Sequence, residues 1–385
     1  MKIVYIYHSL AIVGGIERVI VDKANYFAEK YGHEIYIITT DQGSHPVVYS
    51  LHKNIQHIDL NICFHRIYKY PFIKREIERL IKNYKFRIEL TKLLKVINPD
   101  FTICTTNNLK YFITSITDSS IKIIESHGAK EFNGNQYIYR KRNIFFKLAA
   151  DFLDWKMHYI IKKYSALIVL TNNDSICWNK IKKATVIPNS LPFYPEKIST
   201  LNNKKIISIG RLEEQKGYDL LIQTWKIVVE KHPEWSLHIY GNGSLKNTLK
   251  EFINKEGLND SFIIENPVSD IYNKYVESSI YVMSSRYEGF GMVLIEAMAC
   301  GIPVVSFDCP NGPSDIITDG EDGFLVKNKD IEALAEKICY LIENENTRIE
   351  MGKKAHENVK RYMPDIIMKK WIDLFNSLKQ NNQNV

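Results

Sequence analysis

The 385-residue sequence has no long hydrophobic run and no closely spaced cysteine pair, and we expect its apolar start to be a first strand and not a secretion signal. No segment approaches the roughly 18 consecutive apolar residues of a membrane-spanning helix. The apolar start MKIVYIYHSL is short, contains His8 and lacks a small-residue cleavage site. The six cysteines are scattered, without a Cys-x-x-Cys motif or a histidine at zinc-site spacing. We therefore expect a cytoplasmic protein, or one peripheral at the inner face of the plasma membrane, with cysteines that are small buried apolar residues.

Positive charge is concentrated in the front half of the chain. Residues 1–190 carry 28 Lys and Arg against 16 Asp and Glu, a net +12, whereas the remainder carries 23 against 28, a net −5. Much of the excess lies in segments 66–95 and 139–164. The apolar residues of the first segment recur near helical spacing between cations, as in an amphipathic helix on an anionic membrane surface. An ordinary surface helix whose apolar stripe faces the core fits equally well.

Nucleic acid is not an expected partner, because the sequence has no recognised binding motif and its back half is acidic.

Short β-branched runs alternate twice with longer amphipathic segments, first from KIVYIYH to ALIVLT and again from KKIISIG to PVVSF. This alternation predicts an α/β fold of two doubly wound, Rossmann-like domains with parallel sheets. Ligands of such domains bind beyond the carboxyl ends of the strands, here in a central cleft that the two domains face. We place the domains at 1–190 and 204–364, with a linker in segment 184–203, which is rich in Pro, Asn and Ser.

Two strand ends carry groups suited to an anion. After the first strand, Gly14 and Gly15 open a helix, so backbone N–H groups at its positive end can approach a phosphate. After KKIISIG, Arg211 and Lys216 lie on a strand-to-helix loop, where two cations can clamp a diphosphate. A glycine-permitted turn and solvated surface cations are the structural alternatives.

The stretch SRYEGFGMVLIEAMACG places two carboxylates after a further strand. Glu288 lies on the loop, and Glu296 lies on the helix expected to start near Met292. An ionised carboxylate in such apolar surroundings requires hydrogen-bond partners. Vicinal hydroxyls of an extended ligand can supply them, and a structural ion pair with a neighbouring Arg or Lys is the alternative.

The segments GGIERV, SHG and GRLEEQKG, together with Glu288 and Glu296 separated by seven residues and followed by EAMACGIPVVSFDCPNGPSDII, resemble the family-4 retaining glycosyltransferases of the GT-B fold. The resemblance extends from the first strand to DGEDGFLV near residue 326, with the front half more divergent. It implies that a nucleotide-sugar donor lies mainly against the second domain and the acceptor on the first. It also implies that a final helix, about 365–381, crosses back onto the first domain.

The resemblance assigns a role to each group that binds the donor phosphates and hydroxyls. The Gly15 amide would contact the distal phosphate, and Arg211 and Lys216 would neutralise the diphosphate as it leaves. Glu296 would accept hydrogen bonds from the ribose, and Glu288 from the transferred sugar.

The remaining implied contacts come from three other segments. His127, after the strand IKIIES, would lie beside the donor sugar as a catalytic residue, together with Arg211, Lys216 and Glu288. Pro267 and Val268 would contact the nucleobase. Backbone contacts to sugar and phosphate would come from Phe290, Gly291 and Met292.

The reaction implied is attack on the same face from which the nucleotide leaves, with the leaving diphosphate taking the acceptor proton. We expect no cofactor and no metal, because Arg211 and Lys216 neutralise the leaving group. The expected donor is a UDP-linked hexose or N-acetylhexosamine, since CPNGPSDII resembles transferases of bacterial surface-polysaccharide assembly. The expected acceptor is a hydroxyl of a glycan or of a lipid-linked acceptor.

Three other functions remain open at this point. A nucleotide-sugar epimerase and a non-catalytic nucleotide-sugar-binding partner could share the two-domain fold. A nicotinamide-dependent oxidoreductase would also be doubly wound, but it would need Gly-x-Gly-x-x-Gly after the first strand, where this sequence has VGGIER.

Overall fold

The chain divides into two units, each built around its own parallel sheet. The computed structural model describes residues 1–106, 109–132, 137, 139–140, 142–179, 181, 184–268 and 270–383. The first unit comprises Met1–Leu170, Asp174–Ile187 and Ile367–Val385, and the second comprises Thr171–Asn173 and Pro188–Ile366.

The first unit has a strand order typical of a doubly wound domain. Its described strands are β1 (Lys2–Tyr7), β2 (Glu34–Thr39), β3 (Ile55–Asp59), β4 (Phe101–Thr105), β5 (Ile121–Ser126), β6 (Ala166–Val169) and β7 (Ala184–Val186). They pair in parallel in the order β3-β2-β1-β4-β5-β6-β7. The accompanying α-helices are α1 (Gly15–Lys30), α2 (Phe72–Ile97), α3 (Lys110–Ile113), α4 (Ile144–Ile161) and α5 (Asn172–Cys177), with 3-10 turns at Phe64–Lys69 and Lys130–Phe132.

The second unit repeats this arrangement with one strand fewer among the described residues. Its strands are β8 (Lys205–Ile209), β9 (Ser236–Tyr240), β10 (Phe262–Glu265), β11 (Ile280–Met283), β12 (Val304–Asp308) and β13 (Gly323–Lys327), in the parallel order β10-β9-β8-β11-β12-β13. The helices are α6 (Tyr218–Lys231), α7 (Lys246–Lys255), α8 (Ile271–Val276), α9 (Met292–Ala299), α10 (Pro313–Ile316), α11 (Ile331–Glu343) and α12 (Glu345–Asn358), with 3-10 turns at Glu214–Lys216 and Val359–Tyr362. The α/β fold class is confirmed.

The central strands of both sheets are buried on both faces, which explains why they are continuous apolar runs in the sequence and do not alternate. β1 and β2 are each buried over their last five residues. Helices on both faces cover such a sheet and leave its carboxyl-terminal edge for ligands.

The chain passes from the first unit to the second inside the predicted linker segment 184–203, between Ile187 and Pro188. The first residues of this segment form β7, which pairs with β6 of the first sheet. The residues from Pro188 onward belong to the second unit. Ser199 fixes them there, because its amide donates to the Cys300 carbonyl (2.9 Å) and its hydroxyl donates to the Ser278 carbonyl (2.6 Å). Proline and asparagine here shape an ordered, hydrogen-bonded segment.

The last helix, α13 (Pro364–Gln383), packs against the first unit over most of its length. The Phe375 ring lies 4.5 Å from the Phe101 ring and 5.7 Å from the Phe27 ring, measured between centroids. An ion pair of 2.6 Å joins Lys379 to Asp100. The apolar stripe of this helix therefore completes the core of the first unit.

Five of the six cysteines are buried as predicted, and Cys177 is half-buried. Within the described residues, no helix is long and apolar enough to cross a membrane.

Candidate functional site

The strand order of the second unit places its topological switch point between β8 and β11. Chain connections leave β8 toward β9 on one side and return at β11 on the other. In doubly wound sheets ligands bind outside the carboxyl ends of the strands at such a point. Arg211 and Lys216 follow β8, and Glu288 follows β11, so the sheet brings three predicted site residues to this edge.

Lys216 and Glu288 form a largely buried ion pair. The Lys216 Nζ donates to Glu288 Oε1 at 2.6 Å, and the two side chains are 14% and 8% exposed. The Ser285 hydroxyl donates to the same carboxylate oxygen, also at 2.6 Å. The sequence prediction assigned this cation and this carboxylate to different parts of the ligand, whereas the structure couples them. Ser285 carries no sequence signal beyond its position three residues before Glu288.

Arg211 is exposed and is oriented by Gln215. The Arg211 guanidinium donates to Gln215 Oε1 at 3.2 Å, and the Gln215 amide donates to the Tyr287 carbonyl at 3.0 Å. The Arg286 amide donates to the Gln215 carbonyl at 2.8 Å. Gln215 therefore ties the loop after β8 to the loop after β11. Gln215 was not predicted from the sequence, because Arg286 and Tyr287, which it contacts, are about 70 positions away along the chain.

Glu296 receives a hydrogen bond from a tyrosine of another helix. The Tyr275 hydroxyl, on α8, donates to Glu296 Oε2 at 2.9 Å, and both residues are buried. Burial raises the pKa of Tyr275 well above its ordinary value, and the Glu296 charge adds to the shift, so the phenol remains a donor. Tyr275 therefore supplies part of the hydrogen bonding that the buried carboxylate requires.

In the segment Phe290–Met292, Phe290 and Gly291 have only backbone groups to offer a ligand, because the Phe290 side chain is buried and glycine has none. The Phe290 side chain is buried and meets the Tyr362 ring edge-on, with centroids 5.5 Å apart. Gly291 has a φ of 101°, a conformation that favours glycine, and α9 begins at Met292 as predicted. A Cβ on Gly312 would lie 2.1 Å from the Phe290 carbonyl oxygen, so that position also requires glycine.

Pro267 and Val268 are exposed on the segment that follows β10. β10 is the edge strand of the sheet, and β9 separates it from β8. Both residues therefore lie beyond a strand carboxyl end, displaced to one side of the switch point. Ser269, in the same motif, lies outside the described residues.

In the first unit, α1 begins at Gly15 as predicted, and a Cβ on Gly15 would meet no atom within 4 Å. Gly14 is held by the Tyr49 hydroxyl, which contacts both its amide and its carbonyl at 2.9 Å. The Glu17 carboxylate lies at the same helix end, because a Cβ on Gly14 would come within 2.2 Å of it. A carboxylate is itself stabilised at a helix N-terminus, so Glu17 shares the place predicted for a phosphate.

His127 directly follows β5 and lies against a buried ion pair. Lys23 Nζ donates to both Glu125 oxygens at 2.6 and 2.7 Å, and His127 Nε2 is 3.0 Å from Glu125 Oε2. Burial alone would raise the pKa of Glu125, but the Lys23 charge and the His127 ring outweigh it and lower that pKa to about 2. Lys23 also lies over the Trp371 ring of α13, 4.1 Å from its centroid. Neither Lys23 nor Glu125 was predicted from the sequence.

Among the described residues, no group of three or more His, Cys, Asp or Glu is arranged to hold a metal ion. Metal-independent transfer stays a prediction.

The chain is similar to known glycosyltransferases in sequence and in fold. A family model described as glycosyl transferases group 1 matches residues 193–358. Over 349 residues the chain is 30% identical to a poly(ribitol-phosphate) alpha-N-acetylglucosaminyltransferase of Staphylococcus aureus, covering 84% of this chain and 69% of that protein. The chain belongs to the group 1 glycosyltransferases. It is therefore a transferase, and the epimerase, oxidoreductase and non-catalytic interpretations are wrong.

Other similarities extend along nearly the whole chain. An uncharacterized glycosyltransferase of Haemophilus influenzae is 28% identical over 378 residues, which is 96% of this chain and 98% of that protein. A variant of S. aureus TarM, solved with fondaparinux, alpha-GlcNAc-glycerol and UDP, aligns with a TM-score of 0.78 at 19% identity, covering 97% of this chain and 99% of that one. The pneumococcal O-GlcNAc transferase GtfA, solved with UDP and GlcNAc, aligns with a TM-score of 0.75 at 16% identity, covering 98% and 99%. The two solved structures show the fold that this group 1 glycosyltransferase shares.

Proposed function

We propose that this glycosyltransferase moves a hexose or N-acetylhexosamine, with retention, from a UDP-linked donor to a hydroxyl of a glycan or lipid-linked acceptor in bacterial surface-polysaccharide assembly. The observation that carries the proposal is the group formed by Lys216, Glu288 and Ser285 at the switch point, with Arg211 exposed beside it. A cation that is already fixed in place can neutralise charge on a leaving group without reorganising during the reaction.

The diphosphate would lie against Arg211 and Lys216. Arg211 is exposed and can turn its planar fork toward phosphate oxygens. Lys216 is held by Glu288, so its ammonium would be shared between the carboxylate and a phosphate. Glu288, buried and positioned by Ser285, would accept hydrogen bonds from the sugar hydroxyls with its remaining lone pairs.

The nucleoside would be recognised by Glu296. A carboxylate offers about four lone-pair sites, so it can accept from ribose hydroxyls beside the Tyr275 hydroxyl. Phe290, Gly291 and Met292 would contribute backbone groups at the start of α9, where N–H groups favour an anion. Pro267 and Val268 would contact the nucleobase. The roles proposed for the first unit are unchanged: the Gly15 amide would contact the distal phosphate, and His127 would lie beside the donor sugar.

The proposed reaction breaks the bond between the anomeric carbon and the phosphate oxygen. The acceptor oxygen bonds to the anomeric carbon on the same face, and its proton passes to the departing phosphate. The tasks of the protein are to orient the two substrates and to stabilise the diphosphate. Arg211 and Lys216 perform the second task without a metal in this proposal.

The choice of UDP rests on named relatives. TarM and GtfA were solved with UDP, and the S. aureus relative is named an N-acetylglucosaminyltransferase of poly(ribitol-phosphate). A further relative, from Erwinia amylovora, is named an amylovoran biosynthesis glycosyltransferase. These names favour a polymer of the cell surface as the product.

A panel of nucleotide sugars tests the proposal. The true donor should raise the melting temperature by mass action and should be slowly hydrolysed or transferred. The anomeric configuration of the product, read by proton NMR, should match that of the donor. Glu296→Gln should lose the melting shift, whereas Glu350→Gln, an exposed residue of α12, should keep it. A product of inverted anomeric configuration would overturn the proposed retention. A melting shift only with donors other than UDP sugars would overturn the proposed donor.

A further inference from the structure

Helix α4 exposes an apolar stripe along its whole length. Among its residues only Ala150, Met157 and Ile161 are buried. Ile144, its first residue, is 62% exposed. Five further large apolar side chains recur every three or four positions and are between 52% and 77% exposed, namely Phe145, Leu148, Phe152, Trp155 and Tyr159. This spacing aligns them on one face over roughly 20 Å. The Trp155 ring stacks on Phe152 and on Tyr159, with centroids 5.8 and 5.9 Å apart.

The first half of α2 exposes a second stripe. The buried residues of this helix all lie in its second half: Phe86, Leu90, Leu94 and Ile97. The first half carries exposed apolar side chains, each at least 54% exposed, namely Phe72, Ile73, Ile77, Leu80, Ile81 and Tyr84. The alternative that this stripe faces the core of the protein is therefore wrong.

Both stripes belong to one side of the first unit. The buried residues of α2, and Met157 and Ile161 of α4, join the same core cluster, which packs against one face of the first sheet. The short helix α3 touches both, because Phe112 meets Phe86 with ring centroids 6.3 Å apart and Lys156 Nζ lies 4.9 Å from the Tyr111 ring. We call the exposed apolar side chains of 72–84 and 144–159, with the cations between them, the two-helix surface.

The positive charge around the two-helix surface favours an anionic partner over a second copy of the chain. Residues 72–84 carry four Lys and Arg against two Glu, and residues 144–159 carry two Lys against two Asp. The flanking residues are more basic, because the full segments 66–95 and 139–164 together have 17 Lys and Arg against five acidic residues, a net charge of +12. Cations lie beside exposed rings, as Lys163 does 4.6 Å from the Tyr159 ring centroid. Two copies of segments with this net charge would repel each other. Apolar and aromatic side chains between cations match the interface of an anionic bilayer, where rings enter the headgroup region and cations contact lipid phosphates.

We propose that the two-helix surface binds the surface of an anionic lipid membrane. The inference deepens the proposed function, because it places the enzyme at the membrane that holds a lipid-linked acceptor. Vesicle binding is measured without donor or acceptor, so its failure would leave the transfer proposal intact.

Vesicle cosedimentation of the full chain tests the inference. The protein should pellet with phosphatidylcholine vesicles containing about 30% phosphatidylglycerol but not with pure phosphatidylcholine, and raising the salt to about 0.5 M should weaken binding. The double variant Phe145→Ser with Trp155→Ser should lose at least about tenfold in affinity. The control Val96→Ser with Ile176→Ser removes two apolar side chains of matched exposure, 82% and 67% against 77% and 62%, and should bind as the unchanged protein does.

Tryptophan fluorescence supplies an internal probe. All five tryptophans lie within the described residues, and Trp155 is the exposed one, since Trp178, Trp225, Trp235 and Trp371 are buried. Anionic vesicles should therefore shift the emission to shorter wavelength, and Trp155→Phe should abolish the shift.

Three results would overturn the inference. The first is that the double variant Phe145→Ser with Trp155→Ser binds vesicles as tightly as the original protein. The second is that the original protein does not bind anionic vesicles. The third is a dimer in solution that this variant dissociates while vesicles are ignored, which would make the occupant a second copy. Circular dichroism and donor hydrolysis, expected to be unchanged in both variants, verify that each is folded.

Discussion

Lys216 and Glu288 should act on the donor as one unit. At the 2.6 Å contact the charges are about 4 Å apart, and two such charges attract by about 4 kcal/mol at an effective dielectric constant of about 20. Desolvation of two side chains that are 14% and 8% exposed offsets part of this attraction. We therefore expect a coupling free energy on the order of 1–3 kcal/mol in a double-mutant cycle.

The assay is kcat/KM for sugar transfer, measured for Lys216→Met, Glu288→Gln and the double variant. Lys216→Met removes the charge that stabilises the leaving group and should reduce kcat/KM by about 10²–10³-fold. Once Lys216 is gone, Glu288→Gln should cost less than it does in the unchanged protein, because the carboxylate no longer positions an ammonium and the amide oxygen can still accept from the sugar hydroxyls.

The control is the pair Lys226 and Glu256, which is joined at 2.8 Å with Lys226 half exposed. Lys226→Met, Glu256→Gln and their combination should leave kcat/KM unchanged. Additive losses at Lys216 and Glu288, within about 0.3 kcal/mol, would refute the idea that the pair works as a unit.

Removing the Glu296 charge by Glu296→Gln should weaken UDP binding about 10- to 100-fold in isothermal calorimetry, since hydrogen bonds to a charged acceptor contribute about 1.5–3 kcal/mol. Tyr275→Phe should weaken it by less, and equal affinities in all three proteins would contradict the ribose assignment. Transfer should proceed at full rate in EDTA; a loss that Mg²⁺ restores would show a metal requirement. Glu125 has a folded-state pKa lowered to about 2 from 4.5, so its contribution to stability is present above pH 4.5 and is lost as the pH falls toward 2. In Glu125→Gln, acid unfolding of the first unit should therefore depend less steeply on pH in that window, by up to about one proton, and an unchanged slope would argue against the Lys23–Glu125 pair.

The sequence was sufficient for the architecture because a parallel sheet leaves a strong local signal. Strands buried on both faces are continuous apolar runs, so β8, β11 and the start of α9 fall where the pattern predicts them. Glycine is also a local signal. The positive φ of Gly291 favours glycine at that position whatever the rest of the chain does.

The partners of the site residues could not be predicted, because they are set by packing between distant segments. Tyr275 reaches Glu296 from another helix, and Lys23 reaches Glu125 across 102 positions. The predicted linker contains the crossing between the two units, but its hydrogen bonds, such as that of Ser199, could not be predicted, because proline and asparagine mark irregular backbone whether or not it is hydrogen-bonded. Periodicity identified the stripe of α2 but could not tell whether the core or solvent faces it.

Hydrogen–deuterium exchange with saturating UDP tests the central claim most directly, namely that a nucleotide diphosphate binds at the switch point of the second unit. Peptides covering 211–217 and 285–296 should exchange more slowly with UDP than without it, and Lys216→Met should reduce the protection at equal nucleotide concentration. Saturated binding that protects other segments and leaves these two unchanged would contradict the account.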